Sequence, residues 1–228
     1  MTIRPASDRS LLISFGDRIS DDAHRQASRL CRSLGGVRGI LNLHPAFASV
    51  LVDFDPRLRS HGEIQALVEA RLAGEGPDEN ASVGDAAAEP AWEAPRLVEI
   101  PVVYGGASGP DLEDVARHCG MDAARVVELH AAAEYLVYFV GFSTCFPYLG
   151  GLPPELATPR LSAPRKHVPE GSVAIGSSQA GVYPLSSPGG WRLIGRTPLR
   201  LFDPQASPPG LLRMDDRVRF RPVPEALP

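Results

Sequence analysis

Three neighbouring stretches decide the fold: YLVYFVGFSTCFPYLGG at 135–151, PRLSAPRKHVPEGSVAIG at 159–176 and QAGVYPLSSPGGWRLIGRTP at 179–198. The short apolar runs YLVYFV (135–140), GSVAIG (171–176) and WRLIG (191–195) have the length and composition of β-strands. Between them, clustered prolines and glycines punctuate the backbone instead of extending it. This is how a small closed or nearly closed sheet is written, with structured loops on its rim. Binding groups usually sit on loops held by a rigid sheet, so the functional surface is expected on that rim.

Working outward, MDDRVRF (214–220) alternates as a last strand, with Val218 and Phe220 on one face and Asp215-Asp216 as a turn before it. On the other side, RLVEIPVVY (96–104) reads as a strand. Pro110-Asp111 opens a short helix, DLEDVARHC, that ends at Gly120. Asp122 caps a second helix, AARVVELHAAAE, with Val126, Val127, His130 and Ala131 near one face.

Residues 76–95 change character. They carry acids, one strong apolar anchor, Trp92, and little periodicity, which predicts an acidic linker and a domain boundary. Before it, LLISF (11–15) reads as a strand and Ser20 caps a helix with Asp21 and Asp22 in its first turn. Ala23, Ala27, Leu30, Cys31 and Leu34 make one apolar stripe, which Gly35-Gly36 stops. Two strands follow, GILNL (39–43) and ASVLVDF (48–54). Ser60 and Glu63 then have capping-box spacing ahead of Ile64, Leu67, Val68 and Leu72. Strand, helix, strand, strand, helix is most of a split βαβ, ferredoxin-like unit without an evident closing strand. The expected chain is therefore α+β: a ferredoxin-like domain at 1–75, a linker at 76–95 and a barrel domain at 96–228.

Composition excludes several classes. A net charge of −4 over 228 residues gives no footprint for nucleic acid or an acidic membrane. The longest apolar run is six residues and MTIRPASDRS lacks a signal-peptide core, so no membrane or secretory role is expected. Cys31, Cys119 and Cys145 are far apart, which fits a reduced, cytoplasmic setting. The six histidines form no metal-ligand pair, and no metal is expected. No Walker loop, GxSxG or GxGxxG occurs, which disfavours an independent ATPase or serine hydrolase.

Chemistry could sit at four places. Arg160 and Arg165 each follow a proline, with Arg192 and Arg196 nearby; such forks suit a carboxylate or phosphate, or else bind carbonyls and acids of the chain itself. Ser187-Pro188-Gly189-Gly190-Trp191 could gather backbone N–H groups on an anion with Trp191 as a wall, or be a tight turn with Trp191 in the core. Cys145 is a candidate nucleophile or an inert thiol. His130 is a candidate general base or a satisfied structural histidine. Gln179 and Tyr183 would be neutral donors beside the arginines.

Taken in order, PVVYGG (101–106), GPDL (109–112), LH (129–130), GF (141–142), YLGGL (148–152), PR…PR…VPEGSVAIG (159–176), VYPLSSPGGW (182–191) and IGRTPL (194–199) resemble the family of the bacterial 5-oxoprolinase B subunit. That family includes a sporulation histidine-kinase inhibitor and proteins called allophanate hydrolase subunit 1, and is similar to half of the urea carboxylase carboxyltransferase region. The resemblance implies a cyclophilin-like β-barrel after a ferredoxin-like domain. It implies a tight complex with the 5-oxoprolinase C subunit, a third component in the A subunit, and ATP-dependent opening of 5-oxoproline, a small carboxylate, to glutamate. ATP would be bound at the level of the complex. The alternatives it carries are a kinase-inhibiting interaction module and a component of an amidolyase. It places catalytic residues at His130, Arg160 and Arg165, and substrate contacts at Gly141, Phe142, Tyr148, Gln179, Tyr183, Pro188, Gly189, Gly190 and Trp191. Two departures stand out: Ser143-Thr144-Cys145 lies where the family has Pro-Gly between two phenylalanines, and Asp215-Asp216 where it has Gly-Asp. Each puts a side chain where glycine's positive φ came without strain.

Overall fold

A computed structural model describes residues 1–74 and 94–224. The chain divides into two compact units between Ala94 and Pro95. Most of the expected linker, with Trp92, lies outside the described residues.

The N-terminal unit opens with a strand that the sequence pattern does not reveal. β1 (Thr2–Ser7) is mostly exposed and pairs antiparallel with β2 (Ser10–Ser14). It carries no apolar alternation, because an edge strand is held by its neighbour's backbone more than by a buried face. α1 (Asp21–Leu34) is capped by Ser20, whose hydroxyl accepts from the Ala23 N–H at 3.1 Å. Its expected stripe, Ala23 through Leu34, is buried. β3 (Ile40–Pro45) and β4 (Ser49–Phe54) follow, then α2 (His61–Ala73) with the full Ser60–Glu63 capping box. The sheet order is β1-β2-β4-β3, with every pairing antiparallel. The missing fourth strand thus comes from the front of the chain, not from after α2.

The C-terminal unit is a closed barrel of seven strands in the order β10-β7-β6-β13-β5-β12-β9. Its strands are β5 (Leu97–Tyr104), β6 (Tyr135–Val140), β7 (Pro147–Gly150), β9 (Ser172–Gly176), β10 (Gln179–Val182), β12 (Arg192–Arg196) and β13 (Arg217–Pro222). Closure places the last strand, β13, parallel to β5 and antiparallel to β6. Such closure is consistent with a cyclophilin-like barrel. Inward residues such as Val137, Leu149, Val173, Ile175, Ala180, Val182 and Ile194 share one core with α3 (Leu112–Cys119) and α4 (Ala123–Ala132). Each fully buried aliphatic side chain of this kind stabilises by about 1.5–3 kcal/mol.

A separate ribbon, β8 (Arg165–Val168) with β11 (Ser187–Gly189), pairs Val168 with Ser187 and Arg165 with Gly189. It packs on the outer wall, where Val168, Phe146, Ala174, Tyr183, Trp191 and Leu193 form a second buried cluster. The alternation of a strand makes this possible: Val173 and Ile175 face inward, Ala174 outward.

Both departures from the family pattern appear as strained backbone. Cys145 has φ 60° and Asp215 φ 72°, left-handed values that favour glycine, and Phe142 has φ 65°. Asp216 is more than the expected turn. Its buried carboxylate accepts from the Arg96 backbone N–H at 3.1 Å, the Arg213 N–H at 3.1 Å and the Arg96 guanidinium at 2.8 Å, tying both ends of the barrel sequence together.

Candidate functional site

Glycines carve the outer wall. A Cβ at Gly176 would overlap the Trp191 ring, and one at Gly189 would overlap the Tyr183 phenol. Both rings therefore seat directly on backbone. Phe146 meets Tyr148, Tyr183 and Trp191 edge-on, with centroids 5.1, 5.2 and 5.5 Å away. Edge-to-face contacts of this kind fix the rings beyond simple burial. Trp191 is only 5% exposed, so the structure places it in the buried cluster, with Arg160 over its ring.

Arg160 lies over this ring cluster, the candidate basin. Its guanidinium carbon sits 5.5 Å from the Trp191 ring centroid, and the residue is exposed. A cation over indole is oriented while its N–H groups stay available. Arg165 is held differently: it donates at 2.7 Å to Asp111, whose other oxygen accepts the Leu193 N–H at 2.7 Å. Asp111 starts α3 but makes no cap with its side chain, which holds Arg165 and β12 instead. In the sequence it reads only as a helix start, 54 residues away from Arg165. Burial raises the Tyr183 phenol above its ordinary value, while the Trp191 backbone and the charges of Arg160 and Arg165 pull it down. Both arginines are therefore near enough to Tyr183 to act on it electrostatically.

Gln179 stands opposite Gly176 and two residues before Gly181, on the face that carries Trp191 and Tyr148. It is 6% exposed, and its amide nitrogen has no partner among the described residues. Phe142 projects from the 141–146 loop, 67% exposed, with its ring edge on Phe146.

Other expected placements change. Ser187-Pro188-Gly189 is strand, and neither Gly189 nor Gly190 has positive φ, so no anion nest forms there; Gly189 makes room for Tyr183 instead. Arg192 and Arg196 donate to the carbonyls of Pro159 and Glu170. The ring cluster under Arg160 lies on the outer wall, packed against the β8–β11 ribbon through Val168. Burial raises the Cys145 thiol above its ordinary value, which opposes thiolate formation. His130 is not brought to the basin. It is fully buried in the barrel core, paired with the Tyr104 hydroxyl at 2.8 Å and stacked on Phe220 at 4.5 Å. Burial pushes its pKa down to about 3. Among the described residues no group of three or more His, Cys, Asp or Glu could hold a metal, and no helix is long and apolar enough to cross a membrane.

Comparison with known proteins gives a family. A model of the carboxyltransferase domain, subdomain C and D, matches residues 1–212. The chain belongs to that family. Relatives named as the B subunit of 5-oxoprolinase are among those it matches. The chain is 60% identical over 132 residues to the one from Escherichia coli O157:H7, an alignment spanning 58% of this chain and 61% of that protein. It is 39% identical over 232 residues to the one from Bacillus subtilis strain 168, spanning 96% and 91%. The crystal structure of TTHA0988 superposes with a TM-score of 0.80 at 36% identity, covering 96% of this chain and 41% of that one. The carboxyltransferase-domain assignment and the resemblance in the barrel motifs therefore agree.

Proposed function

We propose that this chain is the B subunit of a 5-oxoprolinase complex, cytoplasmic, acting with the C and A subunits to open 5-oxo-L-proline to L-glutamate with hydrolysis of ATP. One observation carries the reading: an exposed guanidinium over Trp191, on a barrel face that also carries Tyr183 and a buried Gln179 amide nitrogen without a partner among the described residues. That set has a fork for a carboxylate, a flat apolar wall for a small ring and an N–H donor for a lactam carbonyl. The relatives named as 5-oxoprolinase components support the same substrate. We read the N-terminal unit as a ferredoxin-like fold with its last strand moved to the front.

In this reading Arg160 takes the substrate carboxylate and the Trp191 face limits its swing. Gln179 donates to the ring carbonyl, and Arg165, held by Asp111, supports Tyr183 from the other side. Phe142 and Tyr148 wall the basin, and Gly141, Pro188, Gly189 and Gly190 set the backbone around it. ATP would activate the lactam oxygen; the chain has no Walker loop, and no step here depends on where the nucleotide binds. His130 keeps the barrel interior in order.

The test is reconstitution with the C and A subunits, following glutamate formation from 5-oxoproline. Arg160→Ala lowers kcat/KM roughly 100-fold, the loss expected for one charge-assisted contact made by a fixed cation. Its unfolding free energy moves by about 1 kcal/mol or less, the scale of an exposed cation–π contact. Full activity of the R160A complex would remove Arg160 from the site.

A further inference from the structure

Beside Arg165 lies a second concavity of about 150 Å³, lined by Arg165, His167, Arg196, Ser108, Ser172 and Leu193 among others. Its titratable lining is entirely basic, with no carboxylate among the lining residues. Asp111, which pairs with Arg165, also commits its second oxygen to the Leu193 N–H. The Arg165 pair leaves one guanidinium nitrogen, Nη1, buried and without a partner among the described residues. A buried N–H group of that kind calls for an acceptor. Arg196 is exposed and donates from Nε at 2.8 Å to the Glu170 carbonyl, so its terminal nitrogens remain for a ligand. His167 bonds the Ser186 hydroxyl through Nε2 at 2.8 Å, which leaves Nδ1.

We propose that this concavity is a binding site for a tetrahedral oxyanion of the phosphate class. The remaining Nη1 of Arg165 and the terminal nitrogens of Arg196 can each donate to the oxygens of such an anion, and the His167 imidazole and the Ser108 hydroxyl supply further donors. The concavity, about 150 Å³, is large enough to admit a small anion. The concavity shares Arg165 and Leu193 with the surroundings of the Arg160–Trp191 cluster, but its reading does not depend on which reaction the complex performs. The phosphate is either free or the end of a nucleotide, and the test separates these.

The test uses the full chain at constant ionic strength, since salt screens such contacts. The probe is inorganic phosphate, and the readout is the His167 imidazole proton resonance, identified by its loss in His167→Asn. Addition of phosphate moves that resonance with a dissociation constant in the low millimolar range, and Arg196→Gln raises the constant about tenfold while Arg196→Lys restores part of it. Arg196 is a surface residue, so the variant keeps the fold. If ATP competes with phosphate for the shift, the ligand is a nucleotide phosphate; if phosphate alone acts, it is the free ion; both sustain the site. The proposal is overturned if phosphate leaves His167 unmoved, if R196Q binds as tightly as the parent, or if acetate binds as well as phosphate. Because the measurement needs no turnover, a dead 5-oxoprolinase with an intact phosphate shift sinks the functional reading and leaves this one standing.

Discussion

The inner and outer faces of one barrel wall carry similar chemistry with opposite consequences. Inside, His130 sits with Tyr104, Tyr135 and Phe220, a polar ring among aromatic rings, sealed from water. Outside, Trp191, Phe146, Tyr148 and Tyr183 surround backbone carved by glycine, and Arg160 lies open above them. A histidine held neutral to about pH 3 and closed to solvent orders a core. A cation that keeps its hydration on one side and an aromatic plane on the other can receive a ligand. Residue type therefore says little here; the parity of a position along its strand and the room left by neighbouring glycines decide whether a polar group scaffolds or binds.

The sharpest way to break this contrast is at Asp111, the joint between ribbon and barrel. Asp111→Ala strips the carboxylate from Arg165 and from the Leu193 N–H at once. Removing one partner of a mostly buried pair costs about 3 kcal/mol, and the freed Arg165 no longer supports Tyr183. Urea unfolding of the isolated chain should show that loss, and the reconstituted complex should lose activity with it. A variant of unchanged stability would mean the ribbon is held by apolar packing alone.

How much of this is legible in the sequence depends on local pattern. The helix caps at Ser20, Ser60 and Asp122, the stripe on α1 and the strand at 135–140 are readable because each is a short-range rule acting on adjacent residues. β1 is not, since it has no buried face to imprint a pattern. At the site, the family resemblance, more than any spacing, draws attention to Arg160, Trp191, Gln179 and Tyr183 together. The role of Asp111 is hidden, because a helix-start acid and a partner 54 residues away look alike until the barrel closes. Gly189 is ambiguous for a related reason: glycine allows positive φ but also allows close contact, and the Tyr183 ring shows that contact is what is used there.

The inner face makes the next prediction. His130 has its folded pKa lowered to about 3 by burial, against an ordinary value near 6.5. Between those values the unfolded chain binds a proton that the folded chain refuses, so stability is complete above the ordinary value and falls as pH drops below it. From pH 7.5 to pH 5 the histidine alone removes about 2 kcal/mol. Urea unfolding at both values, compared with His130→Gln, isolates the contribution: the variant lacks that part of the pH dependence. Equal slopes for the two proteins would show that water reaches the imidazole and that the inner face is not sealed.

The smallest effect tests the strained loop that carries Phe142. Cys145 holds φ 60° where the family has glycine, with its thiol close to Gly210, where a Cβ would come within 2.9 Å of the sulfur. Comparing Cys145→Ala with Cys145→Gly removes the thiol from both and leaves only the backbone question. A Cβ in the left-handed region costs about 1 kcal/mol, so the glycine variant should be the more stable of the two by about that amount, less what glycine's greater freedom in the unfolded chain offsets. Chemical denaturation resolves such a difference. If alanine proves equal or better, the 141–146 loop relaxes to negative φ without harm, and the exposure of Phe142 owes nothing to stored backbone strain. If glycine wins, the loop keeps its shape in this chain against a local cost, and Phe142 is held out beside the basin by a backbone that would otherwise choose another course.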